Sequence, residues 1–382
     1  MRQFICILSL FALLLQGCVK HEALKPSEGA AAGQQRIAFD CPLVTPKVRS
    51  VQEFRNFPDD LAFKVWALYS ETESLNINIQ NHEALPYYIR GASFARQGAV
   101  WVCPDKDYYW PHSGYLHFIG YAPAQPKSVN DMTSDVMVGG LRLNGYEVPQ
   151  TADEDLLISR VIYSQRRPSD PESGTQIDFM HALSSVSFTI KSGIYGDRTP
   201  PQVDPSRVDT DLRVVKVEVL GAKSRGNFSQ QMTSWAGEQQ GDATVEKGWT
   251  ANDTPLKNFT AYDKIAAGTD GIVLDDTLRP IHDKTVSGDD DDYNYNITNL
   301  ILLPQVISDN CILKITYDMT YTGLADEGGA FWVKNQVAQV QMNKCGISEW
   351  LRGYRYNYSI TLSRNKIECT SNVLPWEEND VE

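Results

Sequence analysis

Cysteine is scarce in this chain of 382 residues: there are seven, and no two are spaced Cys-x-x-Cys. That excludes a disulfide-dense scaffold and the commonest zinc-binding spacing. Histidine is scarcer still, with six residues at positions 21, 82, 112, 117, 181 and 282, no two in the i, i+4 relation of a helical zinc motif. His82-Glu83 lacks the second histidine and runs into Pro86. His112 and His117 flank Tyr115 in a strand-like segment, where alternation puts them on opposite faces, so both read as packing or surface residues. There is no Gly-x-Ser-x-Gly elbow, and no Gly-Lys pair from which to build a phosphate loop. The run Asp289-Asp290-Asp291-Asp292 has hard oxygen ligands for calcium, but an EF-hand frame from Asp290 places Tyr295 where glycine is needed and Ile301 where glutamate is needed. It reads as a solvated, self-repelling loop. Nothing positive points to catalysis, a metal or a cofactor, and we read the chain as a non-enzyme. Positive charge is also in deficit: the formal net charge of −13 repels phosphate backbones and argues against a nucleic-acid partner. No apolar run after Cys18 is long enough to span a bilayer.

The one long apolar run is at the start. Arg2, an uncharged stretch from Phe4 to Leu15, then small Gly17 before Cys18 has the layout of a secretory signal, too short to cross a membrane as a helix. Leu15-Gln16-Gly17-Cys18 resembles a bacterial lipoprotein lipobox, which makes residues 1–17 a signal peptide and Cys18 the lipid attachment site. The chain is then expected to be exported and held to a membrane by that lipid. Residues 18–35, small, polar and aperiodic, read as a flexible tether.

From Ile37 onward the dominant pattern has period two. Phe63-Val65-Ala67-Tyr69, Val186-Phe188-Ile190 and Val215-Val217-Val219 alternate with more polar neighbours, as half-buried strands do. The cleanest cases are Leu313 to Tyr321 and Tyr354 to Leu362, each long enough to cross a whole sandwich face. Asp153 to Tyr163 fits a short helix or a strand, and strand is preferred. An all-β chain follows. At this length the expectation is two β-sandwich domains in tandem, 36–168 and 169–382, divided at the Pro-rich segment Arg166 to Gly174. The stretch from Gly226 to Asp292, rich in Gly, Asp, Thr and Gln, reads as long loops of the second domain.

Two features remain open. After Cys6 in the signal and Cys18, the cysteines are Cys41, Cys103, Cys311, Cys345 and Cys369, an odd number. One pair within the Cys311, Cys345, Cys369 group is the expected disulfide, with buried free thiols as the alternative. Trp101, Tyr108, Tyr109, Trp110 and Tyr115 cluster in sequence, either as core aromatics or as a stacking platform for sugar.

The segment Tyr108-Tyr109-Trp110-Pro111-His112-Ser113-Gly114-Tyr115-Leu116-His117-Phe118-Ile119-Gly120-Tyr121-Ala122-Pro123 resembles the signature of the fimbrillin family of Bacteroidetes. Three further matches follow in family order: Phe179-Met180-His181-Ala182-Leu183-Ser184-Ser185-Val186 after Asp155-Leu156-Leu157, then Leu302-Leu303-Pro304-Gln305, then Gly353 through Trp376. The resemblance implies transthyretin-like sandwich domains and a pilus subunit or related surface lipoprotein, and it makes the membrane that holds the lipid the outer one, with the chain facing the cell surface. It also implies cleavage by an arginine-specific protease after the first strand, here Ile37-Ala38-Phe39; of Arg49 and Arg55 in the segment that follows, Arg49 is favoured as the processing site because it lies in the loop right after that strand, with an ordinary solvated arginine as the alternative. A strand from a neighbouring subunit then fills the vacated groove, and the C-terminal segment, with Val373, Leu374 and Trp376, is the donor candidate. The same segment could instead close its own domain. Other pilus subunits are the expected partners, with host or bacterial surface ligands in an adhesive role. A surface glycan-binding lipoprotein using the Trp101 to Tyr115 aromatics is the alternative, and an enzyme hidden in the Gly226 to Asp292 stretch a more distant one.

Overall fold

The computed structural model describes residues 34–44, 55–72, 85–127, 132–137, 140–170, 173–194, 209–230, 248–281, 299–322, 331–363 and 366–375. In chain order the first strands are β1 (Phe39–Val44), β2 (Arg55–Asn56), β3 (Phe63–Ser70), β4 (Tyr87–Gln97), β5 (Val100–Val102), β6 (Tyr115–Ala122), β7 (Thr133–Met137), β8 (Gly140–Glu147), β9 (Leu157–Ser159), β10 (Ile162–Gln165) and β11 (Thr175–His181). There follow β12 (Ser184–Ser192), β13 (Asp209–Lys223), β14 (Arg225–Ser229), β15 (Trp249–Ala251), β16 (Leu256–Asp263), a one-turn helix α1 (Lys264–Ala267), β17 (Ile272–Leu274) and β18 (Arg279–Pro280). The chain continues with β19 (Leu300–Leu302), β20 (Gln305–Val306), β21 (Ile312–Thr322), β22 (Phe331–Gln341), a 3₁₀ turn (Met342–Lys344), β23 (Glu349–Trp350), β24 (Tyr354–Leu362) and β25 (Ile367–Pro375). The fold is all-β, as the period-two pattern requires, and Asp153 to Tyr163 is extended.

The first sheet runs β6-β3-β4-β5-β1-β11-β9, and β9 pairs back onto β6 through Tyr121 with Ile158 and Ala122 with Leu157, so the strands close into a ring. Every pairing around the ring is antiparallel except β1 with β11. The first strand, expected at Ile37-Ala38-Phe39, starts at Phe39 and continues through Pro42 to Val44. Its register with β11 shifts between Asp40 and Leu43, because proline has no N–H to offer the ladder.

All eight residues of β6 are buried. Leu116, Phe118 and Ala122 face the core inside the ring, while Ile119 and Tyr121 face a second, larger core. The β7–β8 hairpin joins a small sheet in the order β15-β14-β8-β7. Its Val136, Leu141, Leu143 and Tyr146 belong to that second core, together with Trp66 of β3.

The second core is completed by two sheets. One has the order β18-β12-β24-β25, with β12 and β24 parallel over eight residue pairs from Ser185↔Arg355 to Ser192↔Leu362. The other has the order β16-β13-β21-β22. Val186, Phe188, Tyr356 and Tyr358 of one sheet share this core with Val217, Leu313, Ile315 and Tyr317 of the other.

Two features of the pairing bear on the expected division of the chain. Pairings cross residue 168 in both directions: β11 completes the first ring, and β8 pairs with β14 through Leu143↔Phe228 and Glu147↔Arg225. Pro and polar residues at 166–174 mark an excursion of the backbone, not the end of its pairing. The stretch from Gly226 to Asp292 departs from the loop reading in its described residues. Its described part carries most of β14 and all of β15, β16, α1, β17 and β18, with Phe228, Trp249, Phe259 and Tyr262 buried. Gly, Asp and Thr at exposed positions mask the strand signal of a few buried aromatics.

Candidate functional site

The place occupied by β1 is the most distinctive site in the fold. Phe39 is fully buried and meets three rings edge-on: Phe63 at 5.5 Å, Phe94 at 5.1 Å and Phe118 at 5.2 Å. One face of β1 therefore plugs the first core. Its backbone is held from both sides, by β5 through Phe39↔Trp101 and by β11 through Phe39↔Thr175. Just before the strand, the Thr175 N–H donates to the Ala38 carbonyl at 2.8 Å. Gly174 allows β11 to come this close, since a Cβ there would lie 2.3 Å from the Asp40 nitrogen and 2.6 Å from the Phe39 carbonyl carbon.

The Tyr108-Tyr109-Trp110 segment forms the bed for the residues leading into β1. Ile37 N–H donates to the Tyr108 carbonyl at 2.7 Å, and Trp110 N–H donates to the Gln35 carbonyl at 2.9 Å. Arg36 pairs with Asp107 at 2.7 Å and donates to the Cys103 carbonyl at 2.8 Å. Tyr88 fixes this bed from beneath, its hydroxyl donating to the Tyr109 carbonyl at 2.5 Å. Trp101 and Trp110 are only 1% and 4% exposed, and Trp110 packs edge-on against Phe118 at 5.8 Å. These rings present no face to a sugar. They build the core and the bed of β1.

His117 could suggest a catalytic dyad, because its Nε2 lies 2.8 Å from the Ser70 hydroxyl. The hydrogen bonding argues otherwise. The Ser164 N–H donates to Nδ1 at 2.9 Å, so Nδ1 is the acceptor and the ring proton sits on Nε2, donating to Ser70, which donates to the Thr72 carbonyl at 2.9 Å. The ring has no lone pair left to activate Ser70. Burial lowers the His117 pKa from 6.5 to about 4, which keeps it neutral in this role. His112, by contrast, is exposed.

The other motifs are junctions as well. His181 is buried and its Nδ1 meets Asp155 at 2.6 Å, while the Ala182 carbonyl accepts from Trp249 Nε1 at 2.6 Å and Ser184 donates to the Leu351 carbonyl at 2.8 Å. The Gln305 side chain accepts from Lys223 N–H and donates to the Lys223 carbonyl, both at 2.8 Å, sealing the corner between β13 and β14. Among the described residues, no three His, Cys, Asp or Glu side chains converge as a metal site.

Of the predicted site residues, Cys18, Arg49 and Trp376 lie outside the described residues, as does the run Asp289 to Asp292. Val373 and Leu374 are on β25, 42% and 38% exposed, paired with Tyr356 and Arg355 of β24. β25 closes its own sheet as the edge strand. Sequence reasoning found the position of the first strand but missed Gly174, whose signal is only a glycine after a Pro-rich turn.

No curated protein matches the chain. Among solved structures, a fimbrial protein from Bacteroides vulgatus ATCC 8482 superposes with a TM-score of 0.56 at 14% identity, covering 90% of this chain and all of that one. A candidate cell adhesion protein from Bacteroides uniformis ATCC 8492 gives a TM-score of 0.44 at 17% identity, covering 91% of this chain and all of that one. At such identities the first likeness speaks for the fold. The model of the fimbrillin-like family matches residues 55–376, well over half the sequence and spanning the four motifs that the structure turns into junctions, and the chain belongs to that family.

Proposed function

We propose that this chain is a structural or adhesive subunit of a cell-surface pilus, exported as a lipoprotein on Cys18 and assembled by strand exchange. The observation that carries the reading is the position of β1. It is a strand between two others, plugging a core with Phe39, and it lies N-terminal to Arg49. Cleavage after Arg49 would detach β1 together with the tether and lipid. The facing edges of β5 and β11 would then carry unpaired N–H and C=O groups beside an apolar slot lined by Phe63, Phe94 and Phe118. A strand from a neighbouring subunit satisfies both at once, its backbone completing the ladders and an apolar side chain taking the place of Phe39. The C-terminal segment, with Val373, Leu374 and Trp376, is the donor we favour, since β25 is paired along one side only in its sheet.

The role needs no catalysis and no cofactor, and its partners are other copies or relatives of this subunit and the outer membrane. The test is to treat purified full-length protein with an arginine-specific protease, sequence the new N-terminus and look for linear polymers. A new start at Ser50 with polymers, both abolished by Arg49→Ala, supports the reading. Protein that is cut at Arg49 yet never polymerises and never enters a filament refutes the polymerising role.

A further inference from the structure

The C-terminal strand is positioned for a covalent fastening. On β25, half-buried Ile367, Cys369 and Ser371 alternate with exposed Glu368, Thr370 and Asn372, so Cys369 and Ser371 share the inward face. The turn after β22 lies over that face. Ser371 donates its hydroxyl to the Cys345 carbonyl at 2.5 Å, and a Cβ on Gly346 would sit 3.3 Å from the same hydroxyl. Cys345 follows the 3₁₀ turn, 2% exposed, with its N–H on the Met342 carbonyl at 3.1 Å. Its thiol donates to the Gln341 carbonyl at 3.6 Å, and it lies close enough to the Cys369 thiol for each to shift the other's ionisation, Cys345 downward and Cys369 upward.

The other described cysteines are placed differently. Cys311 is buried with its thiol on the Met342 sulfur at 3.8 Å, and burial pushes it up to about 12, an inert thiol. Cys103 belongs to the core inside the first ring.

We propose that Cys345 and Cys369 are joined by a disulfide in the exported protein, fastening edge strand β25 to the turn that follows β22. The oxidant is a small-molecule or protein disulfide of the extracytoplasmic space. Cys369, the more exposed residue of the two, loses its thiol proton and first exchanges with it, forming a mixed disulfide and releasing one thiol. Cys345 then attacks the Cys369 sulfur of that mixed disulfide, and the second thiol leaves with the proton. Two cysteine thiols are oxidised and one disulfide is reduced to two thiols.

The inference rests on the export read from Arg2 to Cys18, because a reducing compartment would keep both thiols free. Its consequence for assembly is that β25 is fastened at Cys369, which leaves the residues beyond it, with Val373 and Leu374, as the part that can serve as a donor segment.

The test has two arms on the full chain. Purified reduced protein is incubated with oxidised glutathione, free thiols are alkylated, and peptides are mapped by mass spectrometry. A Cys345–Cys369 cross-linked peptide is expected, with a melting midpoint raised by roughly 5–10 °C in wild type and Cys311→Ala but not in Cys369→Ala. No cross-link, or one to Cys41 or Cys103, overturns the proposal. Protein alkylated on intact cells before lysis should carry the same cross-link. If surface labelling finds the chain outside the cell with both thiols alkylated, the proposal fails although export holds. If the chain is found only inside, the export reading and the disulfide in the exported protein fall together, while the glutathione arm still reports on the geometry.

Discussion

Replacing Phe39 with alanine removes the plug of β1 without touching its backbone. Truncating a buried phenylalanine costs about 3–5 kcal/mol, the range reflecting how far the site collapses. Collapse is limited here. Phe63 and Phe94 stack against each other at 6.1 Å, and Phe63 also meets Phe57 and Phe179, so the rings lining the void are held from behind. Three edge-on ring contacts disappear as well, each worth about 0.5–1.5 kcal/mol beyond area alone. The upper part of the range follows, about 4–5 kcal/mol, a large share of the roughly 5–15 kcal/mol by which folded domains are stable. Urea unfolding followed by tryptophan fluorescence measures it, with Val337→Ala as the control, since Val337 is 52% exposed on β22 and should change stability by less than about 0.5 kcal/mol. A loss of under about 1 kcal/mol for Phe39→Ala would mean that β1 does not plug this core in solution, and the strand-exchange reading would lose its physical basis.

Two further perturbations address the same region. Gly174→Ala drives a Cβ into the β1 backbone, and should destabilise by about 1–3 kcal/mol while lowering hydrogen-exchange protection at Thr175, whose N–H bonds Ala38; unchanged protection there would contradict the close approach. His117 gives a pH dependence of definite sign. Its pKa is 6.5 when unfolded and about 4 when folded, so its contribution is complete above pH 6.5, is lost as pH falls and the unfolded chain takes the proton first, and levels off below about 4. The full shift corresponds to about 3 kcal/mol, and with partial solvent relaxation we expect about 2 kcal/mol between pH 7 and pH 4. His117→Gln keeps an acceptor and a donor in place without a titrating ring, so wild type minus variant isolates the effect from carboxylates; parallel stability curves would refute the assignment.

Strand periodicity was legible wherever one face meets solvent or polar neighbours, as in Tyr354 to Leu362 and Leu313 to Tyr321. It fails as a guide to partners, because β1 pairs with β11 more than a hundred residues later and β8 with β14, and nothing local encodes those contacts. The four family-like motifs could be picked out as patterns, yet their work was not readable. Tyr109 serves through its carbonyl, Gln305 through a corner of backbone, and Trp110 through burial, none of which depends on side-chain chemistry visible in a string of letters. The grouping of Cys311, Cys345 and Cys369 is visible in the sequence, but that Cys345 and Cys369 share one face follows only from the register of β25 and the position of the turn above it. Of the candidate donor residues, Val373 and Leu374 lie on β25, and their pairing with β24 is a tertiary fact that no local pattern encodes.

The doubly buried strand β6 ties the two cores into one melting unit. Since Leu116 and Phe118 belong to one core and Ile119 and Tyr121 to the other, no surface exists along which the halves could part and leave each intact. Heating should therefore give a single calorimetric transition whose van't Hoff and calorimetric enthalpies agree, although the chain is long enough for two. The same wall makes the second sandwich sensitive to what fills the first: emptying the place of β1 removes packing from one face of β6 while the other face still needs it straight. On the proposed strand exchange, a subunit waiting for its strand would be softened throughout, and one that has received a strand would be stiffened throughout.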